Sequence, residues 1–336
     1  MYCLGIESTA HTFGAAVVSS EKRILSDVRD TYKPPSGKGI HPRESAQHHS
    51  EVAADVVRDA LAASKLSMDE VDAVAYSKGP GLGPCLRTGA TVARVLAAYY
   101  NKPLVPVNHA IGHIEIGMLT TGATHPLVLL VSGGHTCITA LAGEMWRIFG
   151  ETEDITVGNL LDVFAREARL GSPGGPIVEQ LARKSSHFVE LPYTVKGNDV
   201  SFSGLLTAAS ARLKEKRWSV ESLCFSLQEV AFAMLAEATE RALAFTEEDE
   251  VLLTGGVAAN ETLQQMIGYI AKEHGSAFCV VPKQFASDCG VQIAWTGLLA
   301  YQSGLIIPIQ RSFVKPKWRM DEVKVPWRSR VGSVRK

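Results

Sequence analysis

No run of apolar residues in this chain reaches the ~18 needed to span a bilayer. The opening residues, MYCLGIEST, carry no basic stretch and no cleavable apolar segment, so no export signal is expected. None of the six cysteines forms a CxxC pair, and a chain this long needs no disulfide staples. They read as reduced, buried thiols of a cytoplasmic protein. Charge of either sign is scarce: charged residues make up 21% and the formal net charge is -1. A protein that gripped nucleic acid by phosphate contacts alone would be basic, so any RNA partner must be met by a local patch or with help. Also missing is HExxH: His109 is followed by Ala110, which weakens a zincin-type peptidase, whose base is the glutamate beside the first histidine.

What is present is an ordinary globular composition, 46% hydrophobic over 336 residues, enough for about two domains of roughly 100–200 residues each. Strand-like runs at 2–7, 12–19 and 24–32 open the chain. A Pro/Gly-rich loop at 33–39 leads to a long helix from Pro42, a favourable first-turn position. A strand at 71–76, a helix at 86–100 and a strand at 104–107 follow, and Asn108 caps the next helix. The second half repeats the order: strands at 127–132, 135–141 and 146–149, helices at 160–169, 175–183, 205–216 and 219–245, then strand 251–254, helix 261–274, strand 278–281 and helix 287–303. Three strands, helix, strand, helix, strand, twice over, predict a duplicated mixed-sheet α/β arrangement.

Each half has a strand running into a turn of small and hydroxyl residues: Gly5-Ile6-Glu7-Ser8-Thr9-Ala10-His11-Thr12 and Val131-Ser132-Gly133-Gly134-His135-Thr136. Such turns expose successive amides and hydroxyls that suit phosphate oxygens, though either alone also reads as a plain hairpin. A third loop, Thr254-Gly255-Gly256-Val257-Ala258-Ala259-Asn260, closes a buried strand at a helix start, where open α/β sheets bind ligands. Pro173-Gly174-Gly175-Pro176 supplies another tight turn. Two phosphate hairpins, one per half, with a late Gly-Gly loop for adenosine resemble the superfamily of actin, hexokinase and the heat-shock ATPases.

His109 and His113 stand at i and i+4, on one face of a helix about 6 Å apart, a spacing suited to two imidazoles on one metal. The third ligand must come from elsewhere. Asp288 precedes an apolar helix and, by its local sequence alone, reads as a capping aspartate. Two histidines and a carboxylate with open positions would suit Fe(II) or Zn(II). His48 and His49 sit in the long helix, with a solvated or hinge-facing role as open as a site role.

Together these motifs resemble one family, the tRNA threonylcarbamoyladenosine transferases, in the archaeal and eukaryotic branch found in the KEOPS complex and related to bacterial TsaD. The resemblance spans residues 5–327 and rests on GIESTAHT (5–12), GIHPRESAQHH (39–49), GPGLGPCLRTGATVAR (79–94), NHAIGHIE (108–115), VSGGHT (131–136), GNLLDVFARE (158–167), PGGPIVE (173–179), FSGLLT (202–207), GGVAAN (255–260) and SDCGVQIA (287–294). It implies a duplicated RNase H-like, actin–hexokinase-type (ASKHA) fold with a central cleft: one lobe at 1–124 with the histidine pair, another at 125–327 with nucleotide loops and Asp288. The basic tail 328–336 would be a linker to a kinase domain fused in some archaeal relatives.

The resemblance implies transfer of threonylcarbamoyl from threonylcarbamoyl-adenylate to the exocyclic amine of the adenosine 3′ of the anticodon, in tRNAs reading A-starting codons. It makes His109, His113 and Asp288 the ligands of one divalent metal. Val131, Ser132, Gly133 and Gly134 would hold the adenylate phosphate, while Asp162, Gly175, Glu179 and Asn260 would contact ribose and adenine, whether of the adenylate, ATP or AMP. Ser8, Thr9 and His11 form the other phosphate loop, with His11 a candidate base. Expected partners are tRNA, a small kinase-like subunit and accessory KEOPS subunits, and no membrane. The chain departs from archaeal relatives at Leu130, where a tyrosine often reaches the metal, and at His135, where asparagine is usual. Basic stretches at Lys214, Lys216 and Arg217, and at Lys315, Lys317 and Arg319, are candidate tRNA contacts or plain solvated surface. A metallopeptidase would use the histidine pair but not the loops. An actin-like ATPase would use the loops but not the pair, and a nucleotide-sensing scaffold would need no chemistry.

Overall fold

The computed structural model describes residues 1–35 and 37–328; of the expected basic linker, all but Arg328 lies outside the described residues. The first half runs β1 (Tyr2–Glu7), β2 (Thr12–Ser19), β3 (Ile24–Thr31), α1 (Pro42–Ser64), β4 (Ala73–Gly79), α2 (Gly83–Tyr99), β5 (Leu104–Asn108) and α3 (His109–Thr121). The second runs β6 (Leu127–Val131), β7 (Thr136–Ala142), β8 (Met145–Glu151), α4 (Val157–Glu167), α5 (Gly174–Ala182), a small hairpin β9–β10 (Val195–Lys196, Asp199–Val200), α6 (Ser203–Glu215), α7 (Val220–Thr246), β11 (Glu250–Thr254), α8 (Glu261–Glu273), β12 (Ala277–Val280), α9 (Lys283–Ala286) and α10 (Gly290–Gln302).

The sheets are ordered β3-β2-β1-β4-β5 and β12-β11-β6-β7-β8. In each, the first strand is central, with an antiparallel hairpin on one side and a parallel strand on the other. The duplication expected from element order is therefore a duplication of topology. Strand β4 ends later than its apolar run suggested, because it stays paired with β5 through Gly79 and Asn108.

Alternation along each strand feeds two faces. Leu4, Ile6, Ala15, Val17 and Val74 pack under α1 and α2, while Cys3, Ala16, Val18, Ala73 and Ala75 face α10. On the second sheet, Leu127, Leu129, Val131, Val251 and Leu253 join the large core cluster of α4 to α8. Val128, Leu130 and Leu252 pack with Ala110, Ile111 and Ile114 of α3. The lobes are thus interlocked: α10, late in the chain, covers the first sheet, and α3, from the first half, lies against the second. Close approach makes this possible, since a Cβ on Gly5 of β1 would lie 2.1 Å from the Ala294 nitrogen.

Beyond α10 the chain straps both halves. Ile307 bridges to Leu104, Lys315 donates its amide to the Lys78 carbonyl (2.8 Å) and Val325 donates to the Glu144 carbonyl (2.8 Å). The strap ends on Glu115 of α3, fully buried, which accepts the Trp327 indole N–H at 2.8 Å and the Arg328 guanidinium.

Candidate metal centre and nucleotide loops

Asn108 starts α3 by accepting the amides of Ala110 (3.0 Å) and Ile111 (3.3 Å), which places His109 in the first turn and His113 one turn on. Both are buried, with ring centroids 4.7 Å apart. Asp288 does not cap α10, which begins two residues later at Gly290 with Cys289 at the cap position. The extended link after α9 instead turns its carboxylate to the histidines: Asp288 Oδ1 lies 3.4 Å from His109 Nε2 and 3.2 Å from His113 Nε2. Ligand atoms of the three residues fall within 4.8 Å of one another, the one such grouping of three found among the described residues.

This donor set fits a divalent cation. His109 Nδ1 is 3.0 Å from the buried Glu7 carboxylate, so its proton points at Glu7 and Nε2 is turned toward the other ligands, the carboxylate–histidine arrangement that raises ligand basicity. Burial alone would depress His109, but the Glu7 and Asp288 carboxylates outweigh it and push the imidazole up to about 10. The positive charge held there as a proton is one that a cation would supply instead. Burial and repulsion from His109 pull His113 down despite its contact with Asp288. Asp288, though buried, is held well below the usual carboxylate range by the two histidines.

The sequence did not single out Glu7, Gln292 or Arg29. The Gln292 side-chain nitrogen lies 3.0 Å from His109 Nδ1. Arg29 of β3 donates to the carbonyls of Gln284 (2.7 Å) and Asp288 (3.3 Å) and to Ser287 Oγ (3.3 Å), pinning the link that carries the aspartate. Glu7 was visible only as part of a glycine-loop motif. Leu130 is fully buried in the α3 face of the second sheet.

In the second hairpin the Ser132 hydroxyl accepts the amides of Gly134 (3.2 Å) and His135 (2.9 Å), and Ser132 N donates to the His135 carbonyl at 2.7 Å. Gly133 and Gly134 are exposed at its tip. Gly255, at φ 96, packs where a Cβ would sit 2.3 Å from the Val131 carbonyl oxygen, so the third loop presses against the base of this hairpin. Asp162 accepts the Gly174 amide at 2.7 Å and so fixes the turn into Gly175. Glu179 accepts from Arg183 (2.7 Å) and from the Glu261 amide (3.0 Å). Asn260 caps α8 through Thr262 (3.0 Å) and donates to Gln228 (2.8 Å). These four residues join α4, α5 and the start of α8 on the far side of the hairpin from α3.

The first loop is spent differently. Thr9 donates both its amide (2.6 Å) and its hydroxyl (2.5 Å) to Glu7. Ser8 donates its amide to Ser77 Oγ at 3.0 Å and buries its own hydroxyl against Gly89 of α2. In this arrangement Ser8 is turned to the core rather than to the cleft. His11 lies near His49, which is buried, faces the Ala10 carbonyl at 3.1 Å and contacts His48 Nδ1 at 3.2 Å. His48 is partnered by Asp30 at 2.9 Å. His135 stands beside the metal centre, its ring 6.2 Å from that of His109; burial, then His109 and His113, push it down to about 3.

Two lobes of one topology, interlocked by α3 and α10, define an α/β protein of the actin–hexokinase class with a His/His/Asp centre between its halves. Solved structures with this fold include HypF from T. kodakarensis (TM-score 0.61, 16% identity, 90% of this chain and 48% of that one). The activator of 2-hydroxyisocaproyl-CoA dehydratase from Clostridium difficile also matches (TM-score 0.56, 12% identity, 90% and 97%). The chain belongs to the tRNA N6-adenosine threonylcarbamoyltransferase (TsaD) family, whose model matches residues 23–295. Curated members from Caldivirga maquilingensis (53% identical, 97% of this chain and 98% of that protein) and Hyperthermus butylicus (54%, 98% and 92%) align along nearly the whole length.

Proposed function

We propose that this protein transfers the threonylcarbamoyl group from threonylcarbamoyl-adenylate to the exocyclic amine of the adenosine 3′ of the anticodon, in tRNAs reading A-starting codons. Family membership carries the reaction, and the observation that best supports this reading is the meeting of the His109–His113–Asp288 centre with the glycine hairpin through His135. The amine nitrogen attacks the carbamoyl carbon, the bond from that carbon to the phosphate oxygen breaks, AMP leaves with the bonding pair, and the amine loses a proton.

Ser132, Gly133 and Gly134, with the neighbouring Val131, would hold the phosphate at the exposed tip of the hairpin, where backbone dipoles stabilise charge developing on it as AMP departs. Asp162, Gly175, Glu179 and Asn260 bound the ribose and adenine. Their present hydrogen bonds keep them ordered, and ionised carboxylates retain capacity to accept from ribose hydroxyls. His109, His113 and Asp288 would hold one divalent metal, Fe(II) or Zn(II), which when bound supplies Lewis-acid polarisation and orientation. His11, with Thr9 on the same loop, is the candidate to take the amine proton; a His11→Ala protein retaining the full transfer rate would remove it from that role. The protein would work with a small kinase-like subunit and accessory KEOPS subunits, in keeping with its near-neutral charge. Among the described residues no helix is long and apolar enough to cross a membrane.

The test is transfer of labelled threonine from preformed threonylcarbamoyl-adenylate to cognate tRNA, with partner subunits and metal supplied. Transfer by wild type that collapses in His109→Ala supports both reaction and centre. Absence of transfer by wild type would overturn the reading.

A further inference from the structure

Between the strap and the second hairpin lies a cleft of about 270 Å³, slightly below the roughly 300 Å³ at which whole-ligand sites begin and of a size for part of a ligand. Pro80 stands on one side, Lys317, Trp318 and Arg319 on another, and Gly134 and His135 border it. None of Asp162, Gly175, Glu179 or Asn260 lines it. It lies instead by the α3 side of the second sheet, where Cys137 and Met320 belong to the α3 core cluster. His135, which lines this cleft, has its ring 6.2 Å from that of His109.

The strap here concentrates positive charge. The ammonium groups of Lys78 and Lys315 lie 5.7 Å and 5.6 Å from the centroid of the Trp318 ring. The backbone sets this up, because Lys315 N donates to Lys78 O at 2.8 Å and Asn108 Nδ2 donates to Trp318 O at 3.1 Å. Burial, then repulsion from Lys315, lowers the Lys78 ammonium. Among the described residues, neither lysine nor Lys317 forms a salt bridge, whereas the adjacent Arg319 is neutralised by Glu151 (3.1 Å) and Asp321 (3.0 Å). Each ammonium is attracted to the indole, and with no carboxylate among the described residues bonded to either, both charges remain available to an anion.

We propose that this cleft receives the acceptor nucleotide of the RNA substrate, splayed from its loop, with Lys78, Lys315 and Lys317 meeting the flanking phosphates and Trp318 lining the base. The inference rests on the transferase reading above and adds the acceptor's place to it. Sequence-specific RNA recognition takes unstacked loop bases against aromatic side chains while cations track the backbone. A base seated here borders Gly134 of the hairpin, whereas Asp162, Gly175, Glu179 and Asn260 belong to the α4–α8 face of the second sheet. Donor and acceptor would then approach the hairpin and the His109–His113 pair from two sides.

The test measures binding of labelled tRNA to the metal-loaded full chain over a salt series, beside steady-state transfer. Lys315 and Lys317 are exposed, so Lys315→Glu/Lys317→Glu should fold. It should weaken tRNA binding by about tenfold or more and flatten the salt dependence by roughly one in slope for each phosphate no longer neutralised, with KM for the adenylate unchanged. Trp318→Ala should weaken tRNA binding and Trp318→Phe should restore most of it. Unchanged tRNA affinity and salt slope in the double variant would overturn the proposal, as would a raised adenylate KM with tRNA binding intact. A wild-type protein that binds tRNA through these lysines yet transfers nothing would support the cleft and count against the transferase reading.

Discussion

Glu7 touches no expected ligand other than His109, which it orients from behind at 3.0 Å. Glu7→Gln keeps the shape and loses the charge, so metal affinity should fall about 10–100-fold, the usual effect of removing such an outer partner; isothermal titration with Zn(II) checks it, and equal affinity in both proteins would refute the role. His49 makes a second prediction. Burial first, then the neighbouring His48 and His11, lower it to about 4, against help from the Ala10 carbonyl and Asp30. An unfolded histidine titrates near ~6.5, so the neutral folded form contributes stability that is full above that pH and is lost as pH falls toward 4. His49→Gln should lose less stability than wild type between those limits in chemical denaturation. A drop of equal size in both proteins would assign the acid sensitivity elsewhere. The residue scale is also where the sequence said least. His109 and His113 announce themselves by spacing, and Asp288 by motif resemblance, whereas Glu7 and Arg29 sit in strands and acquire their roles only when the chain folds.

At the scale of elements, the sequence was informative because apolar periods, caps and turn residues agree. The hairpins after β1 and β6, the start of α1 at Pro42 and the Asn108 cap all stand where local chemistry puts them. The start of α10 was misplaced because Ser287 and Asp288 resemble capping residues, while tertiary contacts from Arg29 and the histidine pair hold them extended. A cap not foreseen is Asp154, which accepts the amides of Phe202 (2.9 Å) and Ser203 (3.1 Å) and the Ser201 hydroxyl (2.6 Å) at the head of α6. Asp154→Ala should cost about 0.5–2 kcal/mol, the range for removing an N-cap, read as a lower denaturation midpoint; an unchanged midpoint would mean solvent replaces the cap freely. Gly5→Val, by contrast, should prevent β1 and α10 from packing at all, since even a Cβ there meets backbone at 2.1 Å. Its readout is loss of soluble, cooperatively unfolding protein.

For the molecule as a whole, the strap and α10 decide how the lobes are joined, and no local pattern foretold that α10 would cover the first sheet. Arg328 is the strap's final tie. Arg328→Ala would leave the buried Glu115 carboxylate without its charge partner, a change that typically costs about 3–5 kcal/mol, whereas a further Glu115→Gln substitution should recover part of it. Thermal unfolding of the single and double variants measures both; no recovery in the double variant would show that the tie works by packing rather than by charge. The crossing of α10 also bears on how the protein is made. A nascent chain that has left the ribosome only as far as its second sheet exposes one bare apolar face of its first sheet, a surface for chaperones or for aggregation. It holds the histidine pair but not Asp288, so the three side chains can meet only after the segment following α9 has emerged.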